Sequence, residues 1–182
     1  MRRRRYLELA GATTAAALAG CTGGGATGTL ATRVSDQPGD ISDFDSVVVT
    51  VTELRVLPAD TEESEDEEIT SEVDGEADLV DLQGDDSALV DEAELDTGGY
   101  QYLKLGVGAV EATLGDGGDA DVTTPGEAPL KFDTSFEIRQ GETTTFAADV
   151  TPVRQGGSGG YVLQPVAEET TVSYEPTTTQ SG

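Results

Sequence analysis

The side chains with chemistry to offer in this sequence are overwhelmingly carboxylates. Among 182 residues there are 36 Asp and Glu against 10 Lys and Arg, no His, no Trp, and a single Cys at position 21. Without imidazole there is no Ser-His or Cys-His nucleophile, no His general base and no His-ligated zinc. A carboxylate-rich chain can gather hard cations or, with one protonated and one ionised acid, cleave glycosidic bonds. Asp36, Asp40, Asp43 and Asp45 are the best candidates for cation binding, all within ten residues, yet their spacing is not the Asp-x-Asp-x-Asp-Gly of a calcium loop. Asp36 before Gln37-Pro38 also suits a simple Asx turn. Gly115-Asp116-Gly117-Gly118-Asp119 resembles one copy of a Gly-Asp calcium repeat, but a single copy cannot stack into a solenoid, so a connecting loop is the better reading. No pair of acids is singled out for hydrolysis, and no Trp offers a platform for a sugar ring. The chain therefore reads as non-enzymatic, with no catalytic residues, no cofactor and no specific metal site. Tyr100 and Tyr102, opposite in parity to Leu103, are either an exposed pair for a partner or are packed beneath a loop or second sheet. Packing is favoured.

The acids must also be accounted for as a field. The formal net charge is −26, which repels nucleic acid and anionic membrane surfaces. From Asp60 to Asp96, 18 of 37 residues are acidic and none is basic, while Lys104 and Lys131 are the only lysines in the chain. This balance looks like the surface of proteins from extreme halophiles. Salt near 1 M shortens the Debye length to about 3 Å and screens such self-repulsion. The run from Asp60 to Asp78 reads as a solvated or disordered acidic loop.

The N-terminus carries an address. Residues 1–21 read MRRRRYLELAGATTAAALAGC: a basic start, a modest apolar stretch and small residues before the cysteine, the order of an export signal. Arg3-Arg4-Arg5-Tyr6-Leu7 resembles the twin-arginine signal, and Leu18-Ala19-Gly20-Cys21 resembles the lipobox, which implies a lipid on the Cys21 sulfur. The apolar stretch is too short for a bilayer span, which needs about 20 residues. Removal of residues 1–20 would leave 6 basic against 35 acidic residues and no free thiol.

Elements able to position these side chains are strands. Leu130, Phe132, Thr134, Phe136 and Ile138 alternate with polar partners, and Thr144, Phe146, Ala148 and Val150 do the same after a Gln140-Gly141 turn, which predicts a hairpin. Ser46 to Val56 is β-branched almost throughout and reads as a strand covered on both faces. Leu103, Leu105, Val107 and Ala109 share a face, and Tyr161–Val166 and Thr170–Tyr174 add strands. Leu79–Leu82 reads as a short strand and Ser87–Leu95 as a turn of helix. The expected organisation is a signal peptide over 1–20, a lipidated Gly-rich tether over 21–29, a β-sandwich over 30–174 and a polar tail over 175–182.

The order of pieces then carries a resemblance. Val34-Ser35-Asp36-Gln37-Pro38 leads into SVVVTVTELRVLP, followed by an insert, Leu79-Val80-Asp81-Leu82, Leu95-Asp96-Thr97-Gly98-Gly99-Tyr100, a phenylalanine-bearing segment and Gly160-Tyr161-Val162-Leu163-Gln164-Pro165-Val166. Together these resemble the family catalogued as domain of unknown function 4382, over most of residues 30–172. The resemblance implies an exported lipoprotein with an all-β, antiparallel sandwich of transthyretin or immunoglobulin type; the long acidic insert departs from its usual pattern. The functional expectation is a membrane-anchored extracytoplasmic lipoprotein on the extracellular face, serving as a structural or interaction module. Its partners would be the membrane, through Cys21, and an envelope protein, with nucleic acid excluded. A ligand- or cation-binding accessory lipoprotein for transport or secretion is the alternative.

Overall fold

The computed structural model of the chain describes residues 25–36, 39–157 and 159–176. Cys21 and the expected signal peptide lie outside the described residues. The described strands are β1 (Thr27–Asp36), β2 (Phe44–Pro58), β3 (Ile69–Asp78), β4 (Ala88–Asp96), β5 (Gly98–Leu114), β6 (Asp119–Ala120), β7 (Val122–Thr123), β8 (Leu130–Phe132), β9 (Phe136–Ile138), β10 (Glu142–Arg154), β11 (Tyr161–Pro165) and β12 (Thr171–Pro176). They form two sheets packed as a sandwich. One runs β4-β1-β10-β11-β7, with β12 also on β10; the other runs β3-β2-β5-β6, with β8 and β9 also on β5.

Period-two patterning explains the packing. Leu54, Leu105 and Leu130 are register partners across β2, β5 and β8, as are Val56, Leu103 and Phe132, and all six are buried. Both rows face the other sheet, whose Leu30, Val34, Phe146, Ala148, Val150 and Leu163 are equally buried. Phe146 meets Phe132 and Phe136 edge-on at ring centroid distances of 6.2 and 5.4 Å, and Phe136 stacks on Tyr100 at 5.2 Å. Offset and edge-on pairs of this kind add about 0.5–1.5 kcal/mol beyond their buried area.

Several expectations are corrected. The sandwich is not wholly antiparallel, because β1 pairs parallel with β10 from Thr29↔Thr143 to Asp36↔Val150, and β7 pairs parallel with β11. More than a hundred residues separate β1 from β10, ample for the crossover that parallel pairing requires. Residues 130–138 and 143–150 do not form a hairpin. β8 and β9 pair with β5 while β10 lies in the opposite sheet, and the turn closed by Glu142 N–H to Arg139 O carries the chain across the interior. The shared parity of Phe136 and Phe146 makes the two rings face each other, whereas a hairpin would seat them side by side. Gly141, at φ 69°, supplies the positive φ this turn needs.

The acidic run is not all loop. Its second half is β3, which forms the edge of its sheet against β2, with Gly75 and Ala77 buried and Glu72, Asp74 and Glu76 exposed. Gly75 is required there because a Cβ would lie 2.5 Å from the carbonyl oxygen of Val90, where β4 crosses. Ser87–Leu95 is strand rather than helix, since β4 buries Val90 and Leu95 and pairs with β1. Leu79–Leu82 is a 3-10 turn whose first residues are capped by the Asp78 carboxylate, accepting from Val80 N–H. Strand boundaries also extend further than expected: Thr27–Thr29 belong to β1 rather than a tether, and Glu175 and Pro176 belong to β12 rather than a tail.

Candidate functional site

Six basic residues follow position 20, and three of them form one row. Arg55 on β2 is the register partner of Lys104 on β5, which is the register partner of Lys131 on β8. Each stands between inward-facing apolar neighbours, Leu54 and Val56, Leu103 and Leu105, Leu130 and Phe132, so alternation turns all three outward. Tyr102, two residues from Lys104 on β5, places its ring between the ammonium groups, with Nζ of Lys131 4.3 Å and Nζ of Lys104 5.1 Å from its centroid. Like charges in adjacent register destabilise a sheet. Here they are compensated by carboxylates from outside the row.

The compensating groups are Glu63, Glu65 and Glu68 from the segment between β2 and β3, together with Glu53 on β2 and Asp133 just after β8. Glu68 accepts from Lys104 Nζ at 2.5 Å and from the Tyr102 hydroxyl at 2.6 Å, and its other oxygen lies 3.7 Å from Arg55. Its side chain is 1% exposed. Glu63 binds Lys131 at 2.6 Å, Asp133 binds it from the other side at 2.9 Å, and Glu53 holds Arg55 at 2.5 Å. Burial favours a protonated Glu68, but hydrogen bonds from Lys104 and Tyr102, with the charges of Lys104 and Arg55, outweigh it and hold its carboxyl below the usual range. The Tyr102 phenol is pushed up to about 12, by burial first and then by Glu68. Lys131 is raised by its bonds to Glu63 and Asp133.

Sequence reading named Tyr102 and favoured packing beneath a loop, which is its position. Tyr100 packs differently, into the core against Phe136. The cation row itself was missed, because residues 55, 104 and 131 meet only through strand register. The outward parity of each was readable; the register was not.

The four aspartates considered for a cation diverge. Among the described residues no three acidic groups come together in a geometry able to hold a metal ion. Asp43 accepts from Arg154 Nη2 and from the Tyr161 hydroxyl, both at 2.8 Å, and Asp40 accepts from Arg154 N–H at 2.7 Å. Asp45 is exposed near Gly115, whose N–H bonds to Asp43 O. Asp36 points the other way. It is wholly buried, neither oxygen has a hydrogen-bond partner among the described residues, and burial, then the charge of Asp149, raises its carboxyl to about 7. On the opposite face of β1, Ser35 donates to Asp149. The loop at Gly115–Asp119 is a tight turn between β5 and β6, with Gly118 N–H bonded to Asp116, as expected of a connector.

The geometry is that of a two-sheet β-sandwich with a compensated cation row on the outer face of one sheet. The comparison with family models is specific: the Domain of unknown function (DUF4382) model matches residues 27–165, and the chain belongs to that family. No curated protein and no solved structure matches the chain. Among the described residues no helix is long and apolar enough to cross a membrane.

Proposed function

We propose that this chain is a lipid-anchored lipoprotein of the extracytoplasmic membrane face, acting as a non-enzymatic structural or interaction module. The observation that carries this reading is the single cysteine at position 21, behind Leu18-Ala19-Gly20 and six residues before β1 begins. Six residues span at most about 20 Å, so a lipid on Cys21 would hold the β1 entrance close to the bilayer. That entrance is built into the sandwich: Thr97 N–H bonds to Ala26 O and Gly141 N–H to Thr27 O. The parallel pairing of β1 with β10 also suits the twin-arginine route, which carries folded proteins. Residue 29 cannot find residue 143 until most of the chain has been made. A surface of acids with few lysines fits an exterior of high salt.

Membrane fractionation tests the reading. The unaltered chain should pellet with membranes and be extracted by detergent but not by salt, whereas Cys21→Ser should appear in the medium. Retention of Cys21→Ser in the membrane fraction overturns the anchor. A second reading, a ligand-binding accessory lipoprotein, is favoured by one observation, the row of Arg55, Lys104 and Lys131 around Tyr102.

A further inference from the structure

The segment Glu62–Glu68 reads Glu-Glu-Ser-Glu-Asp-Glu-Glu and contains no apolar side chain. Every residue of it except Glu68 is exposed. Its backbone hydrogen bonds are internal to the segment, from Glu67 to Ser64 and from Glu68 to Glu65. What fastens it to the sheet is a set of ion pairs and one phenolic hydrogen bond, Glu63 to Lys131, Glu65 to Arg55, and Glu68 to Lys104, Arg55 and Tyr102. Beneath it lies half of the positive charge that follows residue 20, in a protein of net charge −26.

We infer that the Arg55–Lys104–Lys131 row with Tyr102 is a binding site for a glutamate- or aspartate-bearing peptide segment of a partner protein, and that Glu62–Glu68 is its built-in competitor. The resident segment shows what the site accepts. One carboxylate is received jointly by an ammonium, a guanidinium and a phenol, and a second, five residues away, by an ammonium. An extended partner carrying two acids at comparable spacing meets the same donors. Exchange costs little apolar contact, because Glu62–Glu68, the resident strap, offers none, and it swaps one set of charge-assisted bonds for another of the same kind. While the strap is docked, apparent affinity for any such partner falls in proportion to the fraction of open molecules. The inference gives the interaction module a partner chemistry and does not require the lipid anchor, so peptide binding and membrane fractionation fail independently.

The test uses the full-length chain at the lowest salt in which it stays folded, titrated with a synthetic peptide copying residues 61–69. The double variant Glu63→Gln/Glu68→Gln should bind the peptide about ten-fold or more tighter than the unaltered chain, and adding Lys104→Gln and Lys131→Gln should remove that gain. Equal affinity of the double variant and the unaltered chain overturns the proposal. So does a gain that survives loss of both lysines. Should the double variant not fold, Glu63→Gln alone, which keeps buried Glu68, must still bind about three-fold tighter, and no gain there overturns it. A single-stranded oligonucleotide of matched charge is the other arm. Binding it as tightly as the peptide overturns the assignment to carboxylates.

Discussion

The Tyr102 hydroxyl donates a 2.6 Å hydrogen bond to Glu68, 34 residues earlier in the chain. That bond fixes a carboxylate over two cations on the outer face of a sheet and turns an exposed tyrosine position into one that is 3% exposed. Tyr102→Phe keeps the ring between Lys104 and Lys131 but removes the donor. It should lower unfolding stability by about 1 kcal/mol, measured by chemical denaturation; an unchanged midpoint would contradict a role for the bond.

Glu68→Gln should cost more, about 1–3 kcal/mol, because it leaves Lys104 and Arg55 facing each other with less compensation. Its folded pKa lies below its ordinary value, so its stabilisation is complete above the unfolded carboxyl range and is lost as pH falls through the folded value. Denaturation of the variant should therefore show a weaker loss of stability on acidification than the unaltered chain.

Asp36 gives the opposite dependence. Its carboxyl is raised to about 7 in the folded state, against about 3.9 unfolded. The stability this raised pKa contributes is present below about pH 4 and is lost progressively as pH rises through about 7. Ionised in the interior with no partner among the described residues, it should cost on the order of 2–4 kcal/mol at about pH 8. Asp36→Asn should therefore stabilise the protein at about pH 8 and leave it little changed at about pH 3. Equal effects at both would contradict the assignment.

Phe146 is wholly buried and touches Phe132 and Phe136 across the interior. Phe146→Ala should cost about 3–5 kcal/mol, whereas Glu76→Ala, on the exposed face of β3, should fall within about 0.5 kcal/mol. A comparable loss for both in thermal unfolding would refute the opposed-sheet arrangement of these rings.

Much of this fold was legible because alternation is a local signal. The period of Leu130 to Ile138 identified inward and outward faces without reference to anything else, and both were kept when the expected hairpin became a crossing between sheets. β3 escaped notice because its inward residues, Ser71, Val73, Gly75 and Ala77, are small, so composition saw only the acids between them. The parallel pairing of Val34 with Ala148 has no local signature at all. The same limit hid the candidate site. Lys104 and Lys131 stood out as the only lysines, but their adjacency is a property of register, fixed by which apolar rows meet in the core. The four N-terminal aspartates, close in sequence, were sent by β1 and β2 to different surroundings, and only Asp43 and Asp40 converge, on Arg154.

The proposed anchor is most directly tested by the intact mass of the protein extracted from membranes. A mature chain should begin at Cys21, without residues 1–20, and carry the added mass of a thioether-linked lipid, and the Cys21→Ser chain should show no such addition. A membrane-extracted chain that retains residues 1–20, or that begins at Cys21 with an unmodified thiol, would contradict the reading of this protein as a lipoprotein.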